Sequence, residues 1–205
     1  MKVIIIISLL SFSYSAFSRD GRCHGHHGAI WKNGGGYVAS SAKVAPTVFV
    51  SVNSSICGTA EVSDNVQILD SASIDLFAKV SGSAVIGGSS LVTGNAIISG
   101  SVTVSEFAKI DGGSVSGEAT ISGNAEITGR AKIYGNATIT DFAKVSNGEV
   151  FDDAKIADNA IIAGDSRVYQ RAFVGGRTQV RGKYQIRGNA VLNGSKFYGA
   201  NGIIE

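Results

Sequence analysis

From Gly36 onward, small and aliphatic residues alternate with polar ones on a six-residue beat. One stretch reads Ala119-Thr-Ile121-Ser-Gly-Asn, Ala125-Glu-Ile127-Thr-Gly-Arg, Ala131-Lys-Ile133-Tyr-Gly-Asn, Ala137-Thr-Ile139-Thr-Asp-Phe. The unit is small-x-aliphatic-x-turn-x. Residues two apart in a strand point the same way. The small and aliphatic positions are therefore predicted to face a core, and Thr120, Glu126, Lys132 and Thr138 to face solvent. The turn position is mostly Gly, Asp or Asn, as at Gly58, Asp64, Gly94, Gly123, Asp158 and Gly188. These residue types tolerate a tight corner. A short strand and a corner, repeated, predict a solenoid.

The small inward position runs from Ala42 to Ala108, slips by one residue, and resumes at Gly113. It slips again after Ala143 and continues from Gly148 to Ala190. That makes about twenty-eight units, or roughly nine coils of three strands, in a rod on the order of 45 Å long. The slips follow Phe107-Ala-Lys-Ile110 and Phe142-Ala-Lys-Val145. This spacing, six units less one residue, puts both shortened corners on one edge, two coils apart. The shared motif reads as an internal duplication, with Phe77-Ala-Lys-Val80 a more distant relative.

These units resemble the hexapeptide-repeat, left-handed parallel β-helix proteins of the bacterial-transferase hexapeptide type. The resemblance covers residues 36 to 204. Gly34-Gly-Gly-Tyr-Val38-Ala-Ser-Ser-Ala42-Lys-Val44 is similar to the opening coil of uncharacterised exported bacterial members. The resemblance implies an all-β, single-domain, left-handed parallel β-helix of about nine coils over residues 36–205. It says little of function, because the repeat is a scaffold rather than a site. Acyltransferases of this type use a His general base at a subunit interface, with loops between coils to hold the acyl donor, and hydratases use three His around zinc. No His follows His27, and no insertion longer than one residue interrupts Gly36 to Leu192. Neither chemistry has its parts here, so an acyltransferase-like enzyme is the alternative reading only. Trimers are common in the family, so a homo-oligomer is compatible with it.

Residues 1–18 carry Lys2, an apolar run from Val3 to Phe17, and small residues at Ala16 and Ser18. This is the pattern of a signal peptide, too short and Ser-rich for a membrane span. No other segment reads as transmembrane. The chain is expected to be exported, to the periplasm, the cell surface or the medium. In an oxidising compartment its two cysteines, Cys23 and Cys57, should pair. Residues 19–35, with Ile30 and Trp31, are read as an N-terminal cap, and Phe197, Tyr198, Ile203 and Ile204 as a closing plug. Both ends need covering, because open strand edges invite polymerisation.

Candidate chemistry is sparse. Cys23-His-Gly-His-His27 has metal-ligand types but no second cluster to complete a site, so no metal and no cofactor are expected. Asp152 and Asp153 sit where Asp serves a turn. Three outward patterns remain. Tyr134, Phe151 and Tyr169 follow the aliphatic position on three successive coils, with Arg187 on the fourth, a strip suited to sugar rings or a partner's apolar edge. Arg167, Arg171, Arg177, Arg181, Lys183 and Arg187 lie in a stretch, Ser166 to Ala190, without Asp or Glu. That basic collar suits an anionic glycan or cell-surface polymer. Thr103, Thr120 and Thr138 stack on one face, an array of the kind ice-binding proteins display. The reading favoured is an exported, non-catalytic solenoid presenting an adhesive, binding or scaffold surface.

Overall fold

The computed structural model describes Cys23 and residues 27–205. The predicted signal peptide and residues 19–22 and 24–26 lie outside the described residues. Within them the chain is strand and turn without a helix. Each coil contributes one short strand to each of three faces. Strands on a face stack in parallel on the equivalent strand one coil on, with Val38 beside Ile56 and Ile56 beside Ile74. The third face is a sheet of nine strands, one for each complete coil from Phe49–Val50 to Val191–Leu192. The protein is a parallel β-solenoid.

The inward positions are those the beat marks. Ile121, Ile127, Ile133 and Ile139 are buried, each above a small residue such as Ala119 or Ala131. The largest fully buried side chains are all Ile, because the space between three closely set faces takes one branched aliphatic per strand. Each such burial contributes about 1.5–3 kcal/mol. Thr120, Glu126 and Thr138 face outward between their ladder neighbours, and Lys132 is exposed.

Corners repeat one device. The turn residue adopts a left-handed backbone, and where it is Asp its carboxylate accepts the N–H of the turn residue in a neighbouring coil. Asp64 takes Gly82, Asp70 takes Gly88, Asp152 takes Gln170 and Asp158 takes Gly176, at 2.8–3.1 Å. Gln170 does the same for Gly188 at 2.7 Å. Asp153 accepts from Asn136 Nδ2. These five corner Asp residues thus have structural partners.

The two slips do fall at one edge, the corner between first and second faces. There Lys109–Val115 and Glu126–Ile133 run through the corner as continuous strands, joining two faces into one sheet. The register shifts between Gly112 and Ser114. Along this edge, full corners at Gly94, Gly129 and Gly164 alternate with shortened ones at Gly112-Gly113 and Asn147-Gly148.

The ends differ from each other. At the N-terminal end Gly28–Ile30 pairs antiparallel with Tyr37–Ala39. Trp31 packs on the core and donates its indole N–H to Val48 O at 2.8 Å, whereas Ile30 is 61% exposed. Cys23 and Cys57 form a disulfide with α-carbons 5.3 Å apart. At the C-terminal end the residues read as a plug form two further strands, Phe197–Tyr198 on the first face and Asn201–Ile204 on the second. Tyr198 and Ile204 point inward, while Phe197 and Ile203 take outward positions and are 66% and 58% exposed. Tyr184 occupies a small-residue position and meets Tyr198 edge to face at 5.6 Å. The two rings fill the end of the interior.

Candidate binding face

The second face of coils six to eight gathers most of the chemistry. Its outward positions form two columns along the axis. Lys132, Glu149 and Arg167 lead the strands, and Tyr134, Phe151 and Tyr169 follow them. The rings stack, with centroids 4.8 Å apart in both pairs and planes inclined by 7° and 3°. All three are half-buried. Their faces are turned to one another along the axis, so they stabilise the ladder and offer ring edges and hydroxyls to a ligand.

The columns are tied together. Tyr134 donates its hydroxyl to Glu149 Oε1 at 3.0 Å, and Arg167 Nε meets Glu149 Oε2 at 2.8 Å. Burial first, and then the Glu149 carboxylate, push the Tyr134 hydroxyl up to about 12, so it stays a hydrogen-bond donor near neutral pH. Tyr169 donates to Gln185 Oε1 at 3.1 Å. Arg187 extends the aromatic column, and its Nε donates to Glu205 at 2.7 Å.

The collar is not one surface. Arg171 lies at the corner between second and third faces, Arg177 between third and first, and Lys183 between first and second, while Arg181 follows Val180 on the first face. Arg167 and Arg187 share the second face with the aromatics, and both are ion-paired. Lys183 and Arg171 sit at its two edges. Arg177 and Arg181 are turned away from it.

The shortened corner at Asn147-Gly148 leaves an open hollow of about 440 Å³, lined by Arg130, Lys132, Glu149, Asp165, Ser166 and Arg167. Arg130 and Lys132 are exposed and form no ion pair among the described residues. The repeat pattern marked Lys132 only as solvent-facing and did not mark Arg130, although the slip positions flank both. On the opposite edge of the face, Asn136, Asp152, Asp153 and Arg171 line a second open hollow of about 680 Å³.

Elsewhere, Thr103, Thr120 and Thr138 stack on the third face, between Val85 and Lys155. Cys23 has its sulfur in the disulfide. The described residues hold no group of three or more His, Cys, Asp or Glu placed to hold a metal ion, and no helix long and apolar enough to cross a membrane.

No family model matches the sequence, and no curated protein matches it. Among solved structures, the fold is similar to UDP-N-acetylglucosamine acyltransferase from Campylobacter jejuni. Identity is 16%, 76% of this chain and 69% of that chain are covered, and the TM-score is 0.47.

Proposed function

We propose that the protein is an exported, non-catalytic solenoid that binds an anionic glycan or cell-surface polymer on the second face of coils six to eight. One observation carries this reading: cationic side chains and the aromatic ladder lie on the same face, between two hollows. The Cys23–Cys57 disulfide is in keeping with an oxidising compartment. A rigid ladder holds the binding groups in place, so little ordering cost is added on association.

The test is binding of polygalacturonate, with neutral dextran as control, across a salt series. An electrostatic contact weakens steeply with salt, and the aromatic edges leave a salt-resistant remainder. Replacing Lys183 and Arg171, at the two edges of the face, with Ser should reduce the salt-sensitive part, and replacing Arg177 and Arg181, which are turned away from it, should leave it unchanged. Tyr169→Ala should remove most of the remainder. Equal retention of dextran and polygalacturonate would overturn the reading.

A further inference from the structure

We infer that Arg130 and Lys132, standing between the two shortened corners, form the subsite for a carboxylate of a linear acidic glycan lying along the solenoid axis. This rests on the anionic-polymer reading above and names the part of the face that recognises the acid. The backbone makes the site. Coil six has a full corner, while coils five and seven are each one residue shorter there. Opposite Gly112 to Ser114, coil six runs from Gly129 to Lys132, so the extra residue stands out as a ridge between two recesses.

The recess on one side is the hollow over Asn147-Gly148. The recess on the other, about 600 Å³, is lined by Asn95, Asp111, Gly112, Ser114 and again Arg130 and Lys132. The same two cations border both. Of the acids lining the recesses, Asp111 meets Lys109 at 3.5 Å and Glu149 holds Arg167 and Tyr134, while Asp165, two coils from the ridge in coil eight, forms no ion pair among the described residues. Arg130 and Lys132 have none among the described residues, and the Arg130 backbone N–H is held by Asn147 Oδ1 at 2.9 Å. The guanidinium is therefore fixed at its base and free at its tip. A planar guanidinium fork matches a carboxylate in two parallel hydrogen bonds.

The recesses lie two coils apart, or roughly 10 Å at about 4.8 Å per strand. A chain of sugars laid along the edge would place one acidic ring on the ridge and its neighbours in the recesses. The site thus asks for an oligomer, and a single sugar acid fills only its centre. On one flank the chain would pass over Glu149 and Arg167 toward the aromatic ladder.

Isothermal titration calorimetry of the full exported chain with galacturonic acid and its dimer, trimer and tetramer tests this. Affinity should rise at least tenfold from monomer to trimer and then level off, and the methyl-esterified trimer should fail to bind. R130S combined with K132S should weaken the trimer at least tenfold, with an unchanged thermal melt. Inserting one Ser between Asn147 and Gly148 should restore the full corner, fill one recess and weaken the trimer while keeping every charge. If the insertion melts early, the double substitution decides alone. Wild-type binding that survives R130S/K132S, or that ignores esterification or length, overturns the subsite and leaves the broader reading standing. If the wild type binds neither the oligomers nor polygalacturonate, both fall.

Discussion

Coils two to four repeat without interruption, whereas coils five to eight alternate shortened and full corners, and both stretches bury the same Ile and Val columns. Ile74 and Ile86 in the first stretch are as inaccessible as Ile127 and Ile139 in the second. Missing residues are taken from the corner and not from the strands. The inward small position shows how. At this edge it is Ala60, Ala78 and Ala96 in regular coils and Ala131 in the full corner of coil six, but Gly113 and Gly148 where the corner is short. A shortened corner cuts closer to the axis and leaves no space for a side chain.

The largest test of this equality is a charge in the core. Ile133→Asp and Ile74→Asp should each cost several kcal/mol and unfold neighbouring coils, since the interior offers a carboxylate no partner. Chemical denaturation should find the two losses similar. A mild effect at Ile133 alone would mean that the shortened stretch is loosely packed.

Next in size is the corner itself. A methyl on Gly113 would meet Ala131 O at 2.6 Å on a backbone with φ of 73°, and one on Gly148 would meet Ile162 Cγ2 at 2.8 Å. Gly113→Ala should cost about 3 kcal/mol, from overpacking and left-handed strain together. The reverse exchange in the full corner, Ala131→Gly, should cost about 1 kcal/mol from lost burial and added chain entropy. Melting curves that rank these two the other way would refute the account of the shortened corner.

A smaller effect separates corner types by pH. Asp141, at a corner that keeps full length, accepts the Asp158 N–H at 3.1 Å and the Thr140 hydroxyl at 2.9 Å. The backbone bond first, then Thr140, hold its carboxyl below the usual aspartate value. The folded value lies below the unfolded one, so this stabilisation is complete above about pH 5 and is lost as pH falls through the folded value. The melting-temperature gap between wild type and Asp141→Asn should therefore shrink from pH 5 to pH 2. The smallest effect belongs to Lys132→Asp, which should change stability by no more than about 0.5 kcal/mol.

The fold was legible because the signal repeats. Each inward Ile is one of many votes for the same register, and two slips with a shared Phe-Ala-Lys motif could be assigned to one edge by counting. The site was less legible for a geometric reason. Residues eighteen apart are neighbours, and that distance links Arg167 to Glu149, Arg187 to Glu205 and Lys144 to Glu126. A collar read along the chain misses these partners and merges charges that stand on different corners. Arg130 escaped because its neighbourhood depends on two deletions on either side of it. Left-handed turns at Leu76, Glu106 and Gln170 were equally silent, since those residue types do not advertise that backbone.

The two ends of the solenoid have a mechanical consequence. Hydrogen bonds between coils run parallel to the axis, so a pull on the termini loads one coil's bonds at a time and not the whole stack together. The first coils are clamped by the antiparallel pairing of Gly28–Ile30 and by the disulfide, whereas Phe197–Tyr198 and Asn201–Ile204 are held by parallel pairing alone. Under tension the coils beyond this clamp should yield before those it holds, each releasing about 60 Å of chain while the clamped coils stay folded, as a spool that pays out its thread from one side.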